Sequence, residues 1–203
     1  MRSTLFFATL LLVAALAALF VERHRIAPAS SAAVTRGTAT LVGDSLNVGV
    51  ERYLPDALPH WTIVANDRVG RTTDEGIAEL EDHRPALSSH VVVSLGTNDP
   101  ADVPGFRADV VRVLELIGPS RCVAWATIWR NGKPDDAFND VLRAAADSNH
   151  RVRLVEWAAM VEQHPGWLAG DHLHGNETGY RERARAVAAA TRSCTPAVNL
   201  TAQ

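Results

Sequence analysis

No run of basic residues marks this chain: 20 Lys and Arg stand scattered against 23 Asp and Glu, a net charge of −3. A polyanion-binding surface needs a concentrated positive patch, so no nucleic acid partner is expected. Internal repeats are missing too, and low-complexity sequence is confined to one short linker. Cysteine is scarce, with only Cys122 and Cys194. One such pair suits a single disulfide in an oxidising compartment; two separate buried thiols are the alternative. What is there in quantity is apolar sequence. At 203 residues and 47% hydrophobic content, the chain can bury one substantial core, and the length favours one domain.

Long hydrophobic runs are limited to the N-terminus. From Ser3 to Val21 there is no charge, after a positive start at Arg2. As a helix this run would extend roughly 28 Å, close to the hydrocarbon thickness of a bilayer. It lacks the polar face of a surface helix and reads as an export segment, residues 1–21, either a signal peptide or a membrane anchor. Ala27-Pro28-Ala29 has the small-x-small form of a cleavage site, but Glu22-Arg23-His24-Arg25 separates it from the apolar run, which favours a retained anchor. Either way the rest is expected to be extracytoplasmic, anchored or secreted. Residues 22–37, rich in Ala, Ser, Thr and Pro, read as a linker. A folded domain over 38–196 and a short tail over 197–203 follow.

Five short apolar runs, Thr38–Val42, Trp61–Ala65, Val91–Leu95, Cys122–Ile128 and Val152–Trp157, read as strands buried on both faces. Helical patterns alternate with them. Leu46, Val50, Tyr53 and Leu54 share a face; Thr72-Thr73-Asp74-Glu75 resembles a capping box ahead of Ile77 and Leu80. Val103, Phe106, Val110, Leu114 and Ile117 keep helical spacing until Gly118-Pro119, and Phe138, Val141, Leu142 and Ala145 form another stripe. Tyr180, Ala184, Val187 and Ala188 form the last. Alternating strands and helices predict a three-layer α/β/α sandwich around a five-stranded parallel sheet. Ligands bind at the carboxyl edge of such sheets. At the opposite edge, the start of the fourth strand would bring Cys122 near Cys194, at the end of the last helix.

Three segments lie in a fixed order at the carboxyl edge: Gly43-Asp44-Ser45-Leu46, Gly96-Thr97-Asn98-Asp99 and Asp171-His172-Leu173-His174. A serine hydroxyl needs a base to become a nucleophile, and acyl transfer needs donors for its oxyanion. Ser45 supplies the hydroxyl, His174 the base and Asp171 the group that orients it. For the oxyanion hole the donors are the backbone N–H of Ser45, that of Gly70 and the side-chain amide of Asn98. On position alone Ser45 could be a helix N-cap and Gly70 a turn glycine. Asn47 rules out a Gly-x-Ser-x-Gly elbow.

This conjunction resembles the SGNH (GDSL) hydrolase family over about Thr38 to Arg192. The four signature residues fall on Ser45, Gly70, Asn98 and His174, with Asp171 as partner of the histidine. The resemblance implies a flavodoxin-like fold and a serine esterase without cofactor or metal. It selects His174 over His172. The family more often has glycine at position 172 and proline at 175, where this chain has His172 and Gly175. Val69-Gly70-Arg71, Leu95-Gly96-Thr97-Asn98, Glu156-Trp157, Trp167 and Gly179 further resemble the extracytoplasmic SGNH domains of membrane acyltransferases, including peptidoglycan O-acetyltransferases. That kinship implies an acylated carbohydrate or small ester as substrate and a separate membrane acyl donor. Arg71, Trp129 and Arg130, with Trp167, are candidate substrate contacts, although tryptophans also serve as core. The rival classes are a lipid esterase, a metal site built on His172, His174 and Asp171, and an inactive glycan-binding module.

Overall fold

The most buried strands sit in the middle of the sheet, as their sequences require. A computed structural model describes residues 36–197. The export segment, nearly all of the linker and most of the tail lie outside the described residues. Among the described residues, no helix is long and apolar enough to cross a membrane.

The sheet comprises β1 (Gly37–Gly43), β2 (Trp61–Asp67), β3 (His90–Ser94), β4 (Cys122–Ala126) and β7 (Val152–Val155), all parallel, in the order β2-β1-β3-β4-β7. That is the doubly wound, flavodoxin-like order. Every residue of β3 and β4 is buried. Contrary to the expectation of burial on both faces, β2 and β7 are edge strands only partly covered, and on β2 Val64 remains 49% exposed.

Side chains alternate across the sheet. Leu41, Val92 and Ala124 face a layer made by α1 (Ser45–Glu51), α2 (Leu54–Ala57) and α7 (Glu177–Arg192), packing on Val50, Leu54, Ala184, Val187 and Ala188. Val91, Val93, Val123 and Trp125 face α3 (Thr73–His83), α4 (Val103–Ile117) and α5 (Asp136–Ser148) through Leu80, Phe106, Val110, Phe138 and Val141. Burying a Leu- or Phe-sized side chain contributes roughly 1.5–3 kcal/mol, so both layers are held firmly to the sheet. The capping box forms: the Thr72 side chain receives the Glu75 N–H, and Glu75 receives the Thr72 N–H. Gly118, at φ +84, ends α4.

Several elements depart from the sequence reading. The first helical stripe is two helices, since Pro55 opens a new turn in α2. β4 stops at Ala126 because the buried Asn139 amide takes both polar groups of Ile128, accepting its N–H at 2.7 Å and donating to its carbonyl at 2.9 Å. Trp157 does not extend β7; it opens a short helix, α6 (Trp157–Gln163). A two-strand hairpin, β5 (Trp129–Arg130) and β6 (Lys133–Pro134), turns through Asn131 and Gly132, both at positive φ. Asn-Gly is the sequence signal for such a turn. Cys122 and Cys194 form a disulfide, Cα–Cα 5.9 Å, at the edge away from the three motifs.

Candidate active site

The β1–α1 junction presents Ser45. Asp44, in an extended conformation, is the N-cap, and its Oδ1 accepts the Leu46 N–H at 2.9 Å. Ser45 is therefore not spent as a cap. It sits half-buried at the first helical position, and its N–H has no acceptor among the described residues. Close approach of the turn to the helix needs Gly43, because a Cβ there would lie 2.7 Å from the Asn47 side chain.

The base arrives from the loop before α7. Asp171 Oδ1 accepts the N–H groups of Leu173 and His174, each at 3.0 Å, while Oδ2 accepts the His174 Nδ1 proton at 2.7 Å. The His174 hydrogen bond, then the two backbone N–H groups, hold the Asp171 carboxyl down at about 2. With the Nδ1 proton facing a carboxylate, Nε2 is the free acceptor, and Ser45 Oγ lies 2.9 Å from it. Serine, histidine and aspartate thus form one hydrogen-bonded chain.

The loop is tied down locally. Ala169 donates to the His174 carbonyl at 2.7 Å, Leu168 bridges to Gly175, and Asn176 caps α7. A Cβ on Gly179 would meet the Trp167 carbonyl at 2.2 Å, so glycine alone permits this approach of helix to loop. His172 is exposed in the left-handed region at φ +57, and its carbonyl accepts the Trp129 indole N–H at 2.9 Å. Among the described residues, no three His, Cys, Asp or Glu side chains gather as a metal site.

Asn98 is exposed at the edge, and its Nδ2 donates to the Arg71 carbonyl at 3.0 Å and, at 3.4 Å, to Asp44 Oδ2. The second contact is longer than the first, so Asp44 orients that N–H while leaving it loose enough to be shared with a ligand. Gly70 is exposed at φ +76, third residue of the Arg68–Arg71 turn, in which the Arg71 N–H reaches the Arg68 carbonyl at 3.2 Å. Its N–H has no acceptor among the described residues. The turn also carries the carbonyl that holds Asn98.

Three candidate substrate contacts have other work. Arg71 is 2% exposed and its guanidinium donates inward, to the carbonyls of Gly43 and Asn66 and to Asn66 Oδ1. Trp129, 6% exposed, packs with Trp157, Val161 and Leu168 under the His172 loop. Arg130 stacks on Phe138, pairs with Asp135 and donates to the carbonyls of Gly96 and Asp99. Each is occupied in structure, because buried cations and indole N–H groups must find partners. Trp167, like Arg130, keeps partial exposure; it stacks on His164 with ring centroids 4.2 Å apart.

Sequence reasoning missed the support beneath these groups. Asp99 accepts the Thr73 N–H and hydroxyl at 2.8 and 2.6 Å, tying the third strand's loop to the start of α3. Below Asp44, Ser94 and the fully buried Arg183 form a polar network in the core. An arginine among alanines on an apolar helix stripe was the available signal for the latter.

No family model matches the chain. It is 27% identical over 141 residues to the peptidoglycan O-acetyltransferase OatA of Listeria monocytogenes, an alignment covering 68% of this chain and 21% of that protein. The chain therefore spans about a fifth of that relative's length. The C-terminal catalytic domain of OatA from Streptococcus pneumoniae, solved with a methylsulfonyl adduct, superposes with a TM-score of 0.62 at 19% identity, covering 79% of this chain and 92% of that one. A lipase/acylhydrolase from Enterococcus faecalis gives 0.63 at 17%, covering 80% and 99%. A member of the lipolytic G-D-S-L family from Veillonella parvula gives 0.64 at 18%, covering 75% and 96%. The fold is that of the SGNH (GDSL) hydrolases, in keeping with the resemblance of the motifs.

Proposed function

We propose that this protein is a metal-independent serine esterase that acts on short acyl esters, acetyl above all, of extracytoplasmic carbohydrate, by hydrolysis or by transfer to a sugar hydroxyl. The observation that carries the reading is the continuous chain from Ser45 Oγ through His174 to Asp171, at 2.9 and 2.7 Å.

In this mechanism Ser45 Oγ attacks the ester carbonyl as His174 Nε2 takes its proton, and Asp171 stabilises the imidazolium. The oxyanion is met by the N–H groups of Ser45 and Gly70 and by the looser N–H of Asn98. Charge develops at the N-terminus of α1, where helix dipole and free amide favour it. His174 then protonates the departing alcohol. Water or a sugar hydroxyl, activated by the same imidazole, releases the acyl group. The carbohydrate part of the proposal is supported by the likeness to OatA, and the acyl donor for transfer would be a separate membrane protein. Anchoring through residues 1–21 would hold the domain at the cell surface.

Fluorophosphonate labelling and ester hydrolysis test the core of this reading. Labelling is expected on Ser45 and absent from Ser45→Ala, with p-nitrophenyl acetate preferred to the decanoate and acetylated peptidoglycan or xylan fragments deacetylated. Labelling that survives Ser45→Ala ends the proposal; preference for decanoate moves it to lipid esters, and loss of activity in chelator removes metal independence.

A further inference from the structure

Arg183 lies on α7, 1% exposed, with its guanidinium 4.8 Å from the Trp157 ring centroid. Its Nη2 donates to Ser94 Oγ at 2.9 Å, while Nε and Nη1 have no hydrogen-bond partner among the described residues. A buried cation this poorly paired costs several kcal/mol, and an apolar residue of similar size would avoid that cost. The fold nevertheless holds it beneath Asp44, itself 0% exposed.

The polarity of the network follows from its donors. A guanidinium has no acceptor, so Ser94 Oγ must accept from Arg183, and its own proton goes to Asp44 Oδ1, 3.3 Å away. Asp44 also receives the Leu46 N–H and the Asn98 amide. Every partner of this carboxyl donates in the present arrangement, which suits a carboxylate; a carboxylic acid could place its proton only by turning the Ser94 or Thr97 hydroxyl from donor to acceptor. Burial pushes Asp44 upward, opposed by the Leu46 N–H, the Arg183 charge and the hydroxyls of Thr97 and Ser94. Arg183 is pulled down by burial to about 10 and is still protonated at neutral pH.

We infer that Arg183 is a positioning residue for the reaction: acting through Ser94, it keeps Asp44 a carboxylate, and Asp44 sets both the start of α1 under Ser45 and the amide of Asn98. Without the guanidinium, the pull of burial on Asp44 goes less opposed, and the carboxyl shifts toward its protonated form, which gives up an acceptor oxygen among groups that now donate to it. The cap loosens, and the two oxyanion donors on either side of it lose register. The inference rests on the serine esterase reading above.

The test uses the purified protein, Arg183→Met, Arg183→Lys and Ser94→Ala, with p-nitrophenyl acetate turnover measured from pH 5 to 9. Misplacing an oxyanion donor costs as much as ~10²–10³ in turnover, so Arg183→Met should lower kcat by about ten- to a hundredfold at neutral pH with little change in KM. It should also acquire an ionisation absent from the parent, with kcat recovering as pH rises. Adding Asp44→Asn should erase that ionisation, and Arg183→Lys should restore part of kcat. Ser94→Ala, which removes one hydroxyl and keeps both charges, should show the same signature in weaker form and carries the test if Arg183→Met does not fold. Parental kcat and pH profile in folded Arg183→Met or Ser94→Ala overturn the inference while leaving Ser45 labelling intact. Failure of the parent to label at Ser45 overturns the esterase reading, and this inference with it.

Discussion

Asn47, two residues past Ser45, and Asp67, at the end of β2, share one hydrogen bond, Nδ2 to Oδ1 at 3.2 Å, while Asn47 Oδ1 and Asp67 Oδ2 stay buried without partners among the described residues. One proton is what the pair lacks. A carboxylic acid beside a primary amide can donate to the amide oxygen while accepting from its nitrogen. Burial raises Asp67 to about 7, with Asn47 and Arg71 opposing and Glu51 adding to the rise.

The consequence is a stability that falls as pH rises. Asp67 stays protonated in the fold above 3.8, where the unfolded chain has released its proton, so its contribution is complete below that value and is lost as pH climbs through about 7. Asp67→Asn keeps both hydrogen bonds and cannot ionise. Urea unfolding at pH 4.5 and pH 8 should show the parent losing stability on the order of a few kcal/mol that the variant keeps. Equal pH slopes in the two proteins would contradict a buried, protonating Asp67.

The two histidines of the loop should separate cleanly. His174→Ala removes the base and is expected to lower turnover by a factor on the order of 10³ or more while leaving the protein folded. His172 holds a left-handed backbone at φ +57 with its side chain exposed, so His172→Gly should leave turnover within a fewfold and stability unchanged or raised by about 0.5–1 kcal/mol. Reversed effects in steady-state kinetics would reassign the base.

The central strands and the first two motifs could be read directly, because burial on both faces leaves continuous apolar runs and each of those motifs follows one of them. Ser45 was legible as a candidate for the same reason, whereas Asp171 and His174, which lie beyond α6, were legible through the spacing that the family resemblance supplied; the structure brings the three into one hydrogen-bonded chain. Asn98 and Gly70 were legible as candidate donors, but not the turn that joins them. What the sequence left hidden shares a cause: these are side chains whose partners are remote in sequence. Arg71 and Arg130 look like surface cations until β1, Asn66 and the Gly96 loop are in place around them. Trp157 continues an apolar run, and only its packing against Trp129 and Leu168 and beneath Arg183 shows it opening a helix. Asn139 ends β4 by binding Ile128 from eleven residues away, which no local pattern reveals.

Trp129 offers a contrast between support and substrate contact. Trp129→Phe keeps an apolar ring but removes the N–H that holds the His172 carbonyl. Losing one such bond costs about 1 kcal/mol, and the loop bearing Asp171 and His174 should loosen with it. The expected result is a severalfold fall in kcat with KM for acetylated glycan unchanged. A rise in KM alone would make Trp129 a sugar contact after all.

The disulfide should govern stability without touching chemistry. Cys122 opens β4 and Cys194 follows α7, and both are almost fully buried at the edge opposite Ser45. The same corner is stitched by Ala197 donating to the Ser120 carbonyl and by His90 Nε2, 3.3 Å from the Cys194 carbonyl. The bridge closes a loop with a sequence separation of 72. In the chain-entropy picture that restricts the unfolded ensemble by about 4 kcal/mol, although bridges often deliver less. Replacing both cysteines by serine should therefore lower the urea midpoint markedly, while kcat for p-nitrophenyl acetate, measured well below that midpoint, stays within a fewfold of the parent. Intact mass of unreduced protein should show no free thiol. If turnover collapsed with the midpoint unmoved, the far edge of the sheet would be coupled to the catalytic edge by more than shared stability.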